Sequence, residues 1–141
     1  MFGKLIADPT FLGYHGLTTA STMGEKAKKI QKEMEPTGLA TTNIPLTCIY
    51  PIPGVRSRIN NLVYDGMFEV ACYSDNSSGN KTATLKAGTM RMGETARGLL
   101  DQVQLGGATL LVEFQSEFQS SSNVAGIKKY IQRFKVSEVI E

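Results

Sequence analysis

The stretch Tyr64-Asp65-Gly66-Met67-Phe68-Glu69-Val70-Ala71-Cys72-Tyr73 decides the fold class. It alternates: Phe68, Val70 and Cys72 fall on one face of an extended chain, Glu69 and Tyr73 on the other. A two-residue period of this kind belongs to a strand half buried against a layer on one side. Upstream, Leu46 to Tyr50 reads as a second strand, stopped by Pro51 and Pro53-Gly54. Downstream, Leu110, Val112 and Phe114 alternate with Leu111, Glu113 and Gln115. Near the end of the chain, Tyr130, Phe134 and Val136 share a face opposite Ile131, Arg133 and Lys135.

Between these pairs of strands the period changes to that of a helix, over about Thr82 to Leu105. Met92, Ala96, Leu99, Leu100 and Val103 make its core-facing stripe, and Gly106-Gly107 stops it. Gly88, Gly93 and Gly98 weaken this helix by about 1 kcal/mol each relative to alanine, so packing has to hold it, and Gly88 is where it is expected to break. The N-terminal third is less patterned. Phe2, Leu5 and Ile6 suggest a helical turn, Asp8-Pro9 opens a second around Phe11 and Leu12, and Gly13 to Met23 reads as loop. Ala27, Ile30 and Met34 then fall on one face of a helix from Gly24 to Glu35, ended by Pro36-Thr37-Gly38. The expected class is α+β: an antiparallel or mixed sheet of about four strands, with one long helix and shorter N-terminal helices packed on one face.

A length of 141 residues suits a single domain spanning the whole chain. The formal net charge of +2, with acidic and basic residues mixed, lacks the concentrated basic face of a general nucleic-acid binder. No segment approaches the roughly 20 apolar residues of a membrane span, and Met1 to Gly16 does not follow a secretory signal. Cys48 and Cys72 lie in apolar strands without metal-site spacing and read as small buried hydrophobes suited to a reducing cytoplasm.

Catalytic constellations are missing from the sequence. His15 is the single histidine, and no nucleophile or acid stands near it in a recognisable arrangement. Gly79-Asn80-Lys81-Thr82 ends like a phosphate-binding loop, but Ser74 occupies the place of the first required glycine, so a turn and helix cap is expected there. Glu113 and Glu117 sit on or beside alternating strand positions, where solvent-facing charge is the rule. The reading is of a chain that is not an enzyme, with no catalytic, cofactor or metal site.

Contact surfaces are what remains. Polar excursions at Gly16 to Gly24, Pro53 to Asn61, Ser74 to Asn80 and Gln115 to Asn123 are numerous for a small domain, and such loops often carry binding contacts. Arg56, Arg58, Ser116, Phe118 and Ser121 are the candidate interface residues in them. The last strand carries Lys128, Lys129, Arg133 and Lys135. These charges either guard an exposed sheet edge against unwanted pairing, or line a pore or meet an acidic neighbour.

Laid out in order, these features resemble the tail-terminator and tail-to-head joining proteins of long-tailed bacteriophages. The likeness runs over roughly Leu5 to Ile140. It rests on Asp8-Pro9 with Phe11-Leu12, Ile30 before a loop, Ile44-Pro45-Leu46, Tyr64-Asp65 leading into Phe68-Glu69-Val70, the single helix to Leu105, and Gly126-Ile127 with Tyr130 and Phe134. The glycine-rich helix and the length of Gly13 to Glu25 depart from that layout. The resemblance implies a structural virion protein of the tail or neck, assembled in the host cytoplasm, forming a homohexameric ring that stops the tail tube. Its partners would be copies of itself, the tail tube protein and a head-connector or stopper protein. DNA would pass through the lumen, with Arg133 and Lys135 as the lumen residues and no base readout. The alternative is a small monomeric binding or regulatory module that uses its loops on one protein partner.

Overall fold

The computed structural model describes residues 2–40, 44–56, 63–74, 88–101, 104–105, 110–122 and 124–139. Two short helices open the chain, α1 (Phe2–Ala7) and α2 (Pro9–Tyr14). Asp8 starts α2 because its carboxylate accepts the Phe11 N–H at 2.8 Å, and Pro9 sits in the first turn, where no N–H partner is needed. The third helix, α3 (Met23–Lys29), opens on a reciprocal cap between Thr22 and Glu25. It stops at Lys29, well short of the Glu35 that the sequence suggests. Ile30 and Gln31 leave it as β1 (Ile30–Gln31), pairing in parallel with Thr47 and Cys48. The expected stripe therefore does not form: Ile30 is fully buried, while Ala27 and Met34 are exposed. One apolar side chain in that segment is better buried by an edge strand than by a helix whose other positions are lysines.

The remaining elements are β2 (Leu46–Arg56), β3 (Val63–Ser74), α4 (Gly88–Leu100), β4 (Gln104–Leu105), β5 (Leu110–Ser121) and β6 (Lys128–Val139). They form one mixed sheet in the order β1-β2-β3-β6-β5-β4. The sheet holds more strands than the four expected: four of the six are long, and two-residue pieces with no period of their own are added at the edges. β2 does not stop at its prolines. It runs through Pro51 and Pro53 to Arg56, with an irregularity between Ile52 and Val55. Among the described residues β1 covers only Thr47 and Cys48 of its outer side, so both prolines lie where β2 is an edge and missing N–H donors cost little.

The hairpin of β5 and β6 also differs from expectation. Gln115 to Ser121 is strand rather than loop, paired with β6 as far as Ser121 opposite Lys128. The polar character of this stretch reflects exposure along the strand, since Gln115 to Gln119 are all exposed. A bulge between Phe114 and Ser116 shifts the register there, and the Phe114 N–H donates at 2.8 Å to Asp101 at the end of α4. The expected helix from Thr82 to Leu105 ends early: α4 spans Gly88–Leu100 and Gln104–Leu105 is β4 beside Leu110 and Leu111, while residues 82–87 lie outside the described residues. Val103, the Ser74-to-Asn80 loop beyond Ser74, and the Gly79-Asn80-Lys81-Thr82 stretch lie outside the described residues.

Helices cover one face of the sheet. Met92, Ala96 and Leu100 of α4 pack with Leu5, Phe11 and Leu12 against Ile49, Phe68, Val70, Val112 and Phe134, with Leu99 half-buried beside them. At the centre Phe68 stacks on Phe134 with ring centroids 5.0 Å apart, and Phe114 meets Phe134 edge-on at 5.8 Å. The opposite face has a second, smaller cluster of Leu46, Cys48, Tyr50, Ala71, Tyr73, Ile127 and Ile131, roofed by Leu39, Ile44 and Val124. Both cysteines are free and buried, and burial pushes each thiol up to about 12.

Candidate interaction surface

The alternation that buries Phe68, Val70 and Phe134 under the helices turns Glu69, Arg133 and Lys135 to the other side. β6 lies between β3 and β5, in the middle of the sheet. The basic residues on it therefore do not guard an edge: both flanks of the strand are already paired, Arg133 opposite Glu69 on one side and Ser116 on the other. This overturns the edge reading and leaves the pore or partner reading of Arg133 and Lys135 to be weighed.

Arg133 is held rather than loose. Its Nε donates to Glu69 Oε2 at 2.8 Å, and the guanidinium lies 5.5 Å from the Phe118 ring centroid. The Glu69 carboxylate also takes the Tyr50 hydroxyl, whose pKa is pushed up to about 12, first by burial and then by Glu69. The same carboxylate raises the pKa of Arg133, so the cation is kept at any physiological pH. The result is an ion pair with its acid half-sunk in the sheet and its base toward solvent, since the Glu69 side chain is 11% exposed and that of Arg133 46%. Lys135 stands one pair further along, opposite Met67 on β3 and Glu113 on β5. Toward the other end of the face the Lys129 ammonium lies 5.5 Å from the Tyr73 ring.

Ser116 and Phe118 belong to this face too. They lie opposite Arg133 and Ile131 in the β5–β6 register, and Phe118 is one of three large apolar side chains left well exposed among the described residues. The placement of Ser116, Phe118 and Ser121 in a loop is corrected: all three are in β5, and the structure brings Phe118 and Arg133 together. Arg56 ends β2 opposite Tyr64, its side chain outside the described residues, as is the whole of Arg58. The side chain of Ser121 lies outside them as well. The partner that sequence reasoning missed is Glu69. Its facing away from the core was legible, but its pairing with Arg133 depends on β3 meeting β6, which no local pattern encodes.

Two further surfaces are built on the helical side. Where α4 crosses β5 and β6, Gln132 Nε2 donates to the Gly93 carbonyl at 2.7 Å and to Glu117 at 3.2 Å, and Arg97 lies 3.8 Å from Glu117 and over the Phe114 ring. Burial and the hydrogen bond to Glu117 raise the pKa of Tyr130 beside them. At the β1 edge of the sheet, Phe2, Leu17, Met23, Ala27 and Ile30 line an open groove of about 780 Å³ whose charged lining mixes Lys28, Lys29 and Lys32 with Glu25 and Glu33. Among the described residues no three His, Cys, Asp or Glu side chains are grouped to hold a metal, and no helix is long and apolar enough to cross a membrane.

His15 has a structural post. It is buried at the end of α2, with Nδ1 2.8 Å from the Phe11 carbonyl and Nε2 2.8 Å from the Thr47 hydroxyl, which ties the N-terminal helices to β2. Desolvation lowers its pKa from 6.5 to about 4, outweighing the Phe11 carbonyl, and Lys29 lowers it further.

No protein-family model and no curated protein sequence matches the chain. Its fold is similar to that of a chain in a solved structure described as the virion of a native gene transfer agent particle, with a TM-score of 0.60. The two are 13% identical, and the match covers 97% of this chain and 90% of that one. At that identity the likeness is one of fold: the α+β arrangement described above is one that a virion protein also uses.

Proposed function

We propose that the chain is a structural subunit of a phage-type virion, a tail terminator or head-to-tail joining protein that assembles as a homohexameric ring. In this reading the ring caps the tail tube and docks to the neck, meeting the tube protein on one side and a connector or stopper protein on the other. It does no chemistry and needs no cofactor. The observation that carries the proposal is the fold likeness to a virion chain over nearly the whole of both chains, because a match confined to a common substructure would say much less.

The helix-free face suits the wall of a bore. Arg133 and Lys135 lie on it, and a ring repeats each of them once per subunit, making two cationic tiers. Glu69 tempers the upper tier by pairing with Arg133. A wall of that kind attracts a phosphate backbone weakly and without sequence preference, which suits DNA that has to pass rather than bind.

Mass photometry of the purified protein, alone and with preassembled tail tubes, tests the proposal, with electron microscopy of the same mixtures. The expected result is a particle of six chains with a central hole, and tubes closed at one end. A protein that stays monomeric in both settings while binding a single partner through its loops would favour the monomeric binding module instead.

A further inference from the structure

We infer that Glu69, Tyr50 and Phe118 hold the Arg133 guanidinium as a preset fork, whose outer edge takes a pair of phosphate oxygens from DNA. The inference rests on the reading of the helix-free face as the wall of a DNA passage, and it specifies how that wall meets the backbone. Four strands contribute one residue each to a row across the face. Tyr50 on β2 lies opposite Glu69 on β3, Glu69 opposite Arg133 on β6, and Arg133 opposite Ser116 on β5. Burial falls along the row: Tyr50 and Glu69 are buried, whereas Arg133 and Ser116 are exposed.

Each member constrains the next. The Tyr50 hydroxyl donates to the Glu69 carboxylate, whose Oε2 accepts from Arg133 Nε at 2.8 Å. The Phe118 ring centroid lies 5.5 Å from Arg133 Cζ. A guanidinium is planar, so a bond at Nε and a ring beside it restrict its direction as well as its position. Among the described residues Glu69 alone accepts from Arg133, and it does so on the Nε side. The two terminal nitrogens are left for a ligand. Their spacing matches two oxygens of one phosphate, a pairing that lysine cannot reproduce. An ion pair with an exposed base adds little to stability, so holding the fold does not account for a carboxylate set into the sheet beneath this arginine. Ordering the side chain in advance does have an effect on binding, because less rotamer entropy is lost at contact. Glu69 thus lowers the charge of its tier and also aims it. The contact is to phosphate and carries no base readout.

The affinity of assembled rings for short duplex DNA, read by fluorescence anisotropy, tests the fork. Mass photometry checks assembly and circular dichroism checks folding. Arg133→Lys keeps the charge and removes the fork. Phe118→Ala keeps the guanidinium and removes the ring beside it. Each should weaken binding about fivefold or more at about 0.15 M salt, and Phe118→Tyr should bind as the unaltered chain does. Glu69→Ala tests the sign of the effect. It takes one negative charge per subunit from the wall, so the field acting alone would tighten binding, whereas loss of aim weakens it. Weaker binding at the same salt is the expected result. Either Arg133→Lys or Phe118→Ala rings binding as tightly as unaltered ones, or tighter binding by Glu69→Ala, overturns the inference and leaves the passage reading standing. Phe118→Ala chains that fold but no longer form rings would put this face in a protein contact and overturn it too. Unaltered rings without affinity for DNA, or an unaltered chain that never assembles, overturn both. If Glu69→Ala does not fold, the variants at Arg133 and Phe118, both exposed, decide alone.

Discussion

His15 shows how one residue can look functional and serve the fold. The Phe11 carbonyl can only accept, so Nδ1 carries the proton, and the neutral Nε2 accepts from Thr47. The Cys72 sulfur lies 3.9 Å from the same hydroxyl and continues the chain of contacts. Protonating the ring would put a charge in a site without solvent and would make the Thr47 hydroxyl turn its own proton toward the Cys72 sulfur in order to accept from Nε2. The unfolded chain takes up that proton near pH 6.5, the folded chain near pH 4. Between those values the unfolded state binds more protons, so stability is full above about pH 6.5 and falls as the pH drops toward 4. The loss is about 3 kcal/mol. Urea melts at pH 7 and pH 4.5 should reveal it, and His15→Gln should flatten that difference while leaving assembly at neutral pH intact. A His15→Gln chain that folds normally yet fails in assembly would give the imidazole a role beyond the fold.

Among the elements, α4 carries the sharpest contrast between two residues of one type. A Cβ on Gly93 would stand 2.6 Å from the Tyr130 ring, itself buried and fixed on β6, whereas a Cβ on Gly98 would meet nothing within 4 Å. Gly98→Ala should therefore raise the thermal midpoint, by up to about 1 kcal/mol of helix propensity. Gly93→Ala should lower it despite the same propensity gain, because the Tyr130 ring has to move away from the added methyl. Equal effects on the two melting curves would mean that Tyr130 does not pack there. The sequence shows three interior glycines and gives no way to tell which one is a contact, since the contact comes from a strand far along the chain. The same division separates what was legible elsewhere. Strands β3 and β6 and the stripe Met92, Ala96 and Leu100 follow from periodicity, because each repeats its burial pattern for several residues. β1 was hidden because two residues have no period. The outer half of β5 was hidden because serine and glutamine on an exposed strand look like a loop. Of the interaction face, Arg133 and Lys135 were legible as a basic side of a strand, but the central position of that strand was not.

At the scale of the whole molecule, the sheet carries helices on one face and, on the other, Glu69, Arg133 and Lys135 beside the smaller apolar cluster, and the proposed ring would make one of these faces inner and the other outer. The basic residues of β6 then test which side is which. Arg133→Gln with Lys135→Gln should leave the particle mass unchanged. Binding of short duplex DNA by assembled rings should weaken at least tenfold at low salt, with a shallower dependence on salt concentration. Glutamine is the better choice at Arg133, since glutamate there would stand against Glu69. An unchanged DNA affinity in the double variant would put this face on the outside. The topology that places β6 at the centre also dictates an order of events in time. The β2–β3 and β5–β6 pairs each join neighbours in the chain, but the β3–β6 seam, from Val63 opposite Val139 to Ser74 opposite Lys128, has to close over the whole of α4 and β5. Closing that span costs entropy before any contact rewards it, so joining two preformed hairpins is the expected slow step of folding. Stopped-flow refolding should show it directly. Truncations at Val70 and Phe134 on the seam should slow folding, whereas truncation at Ile30, on the edge strand β1 outside both hairpins, should mainly speed unfolding.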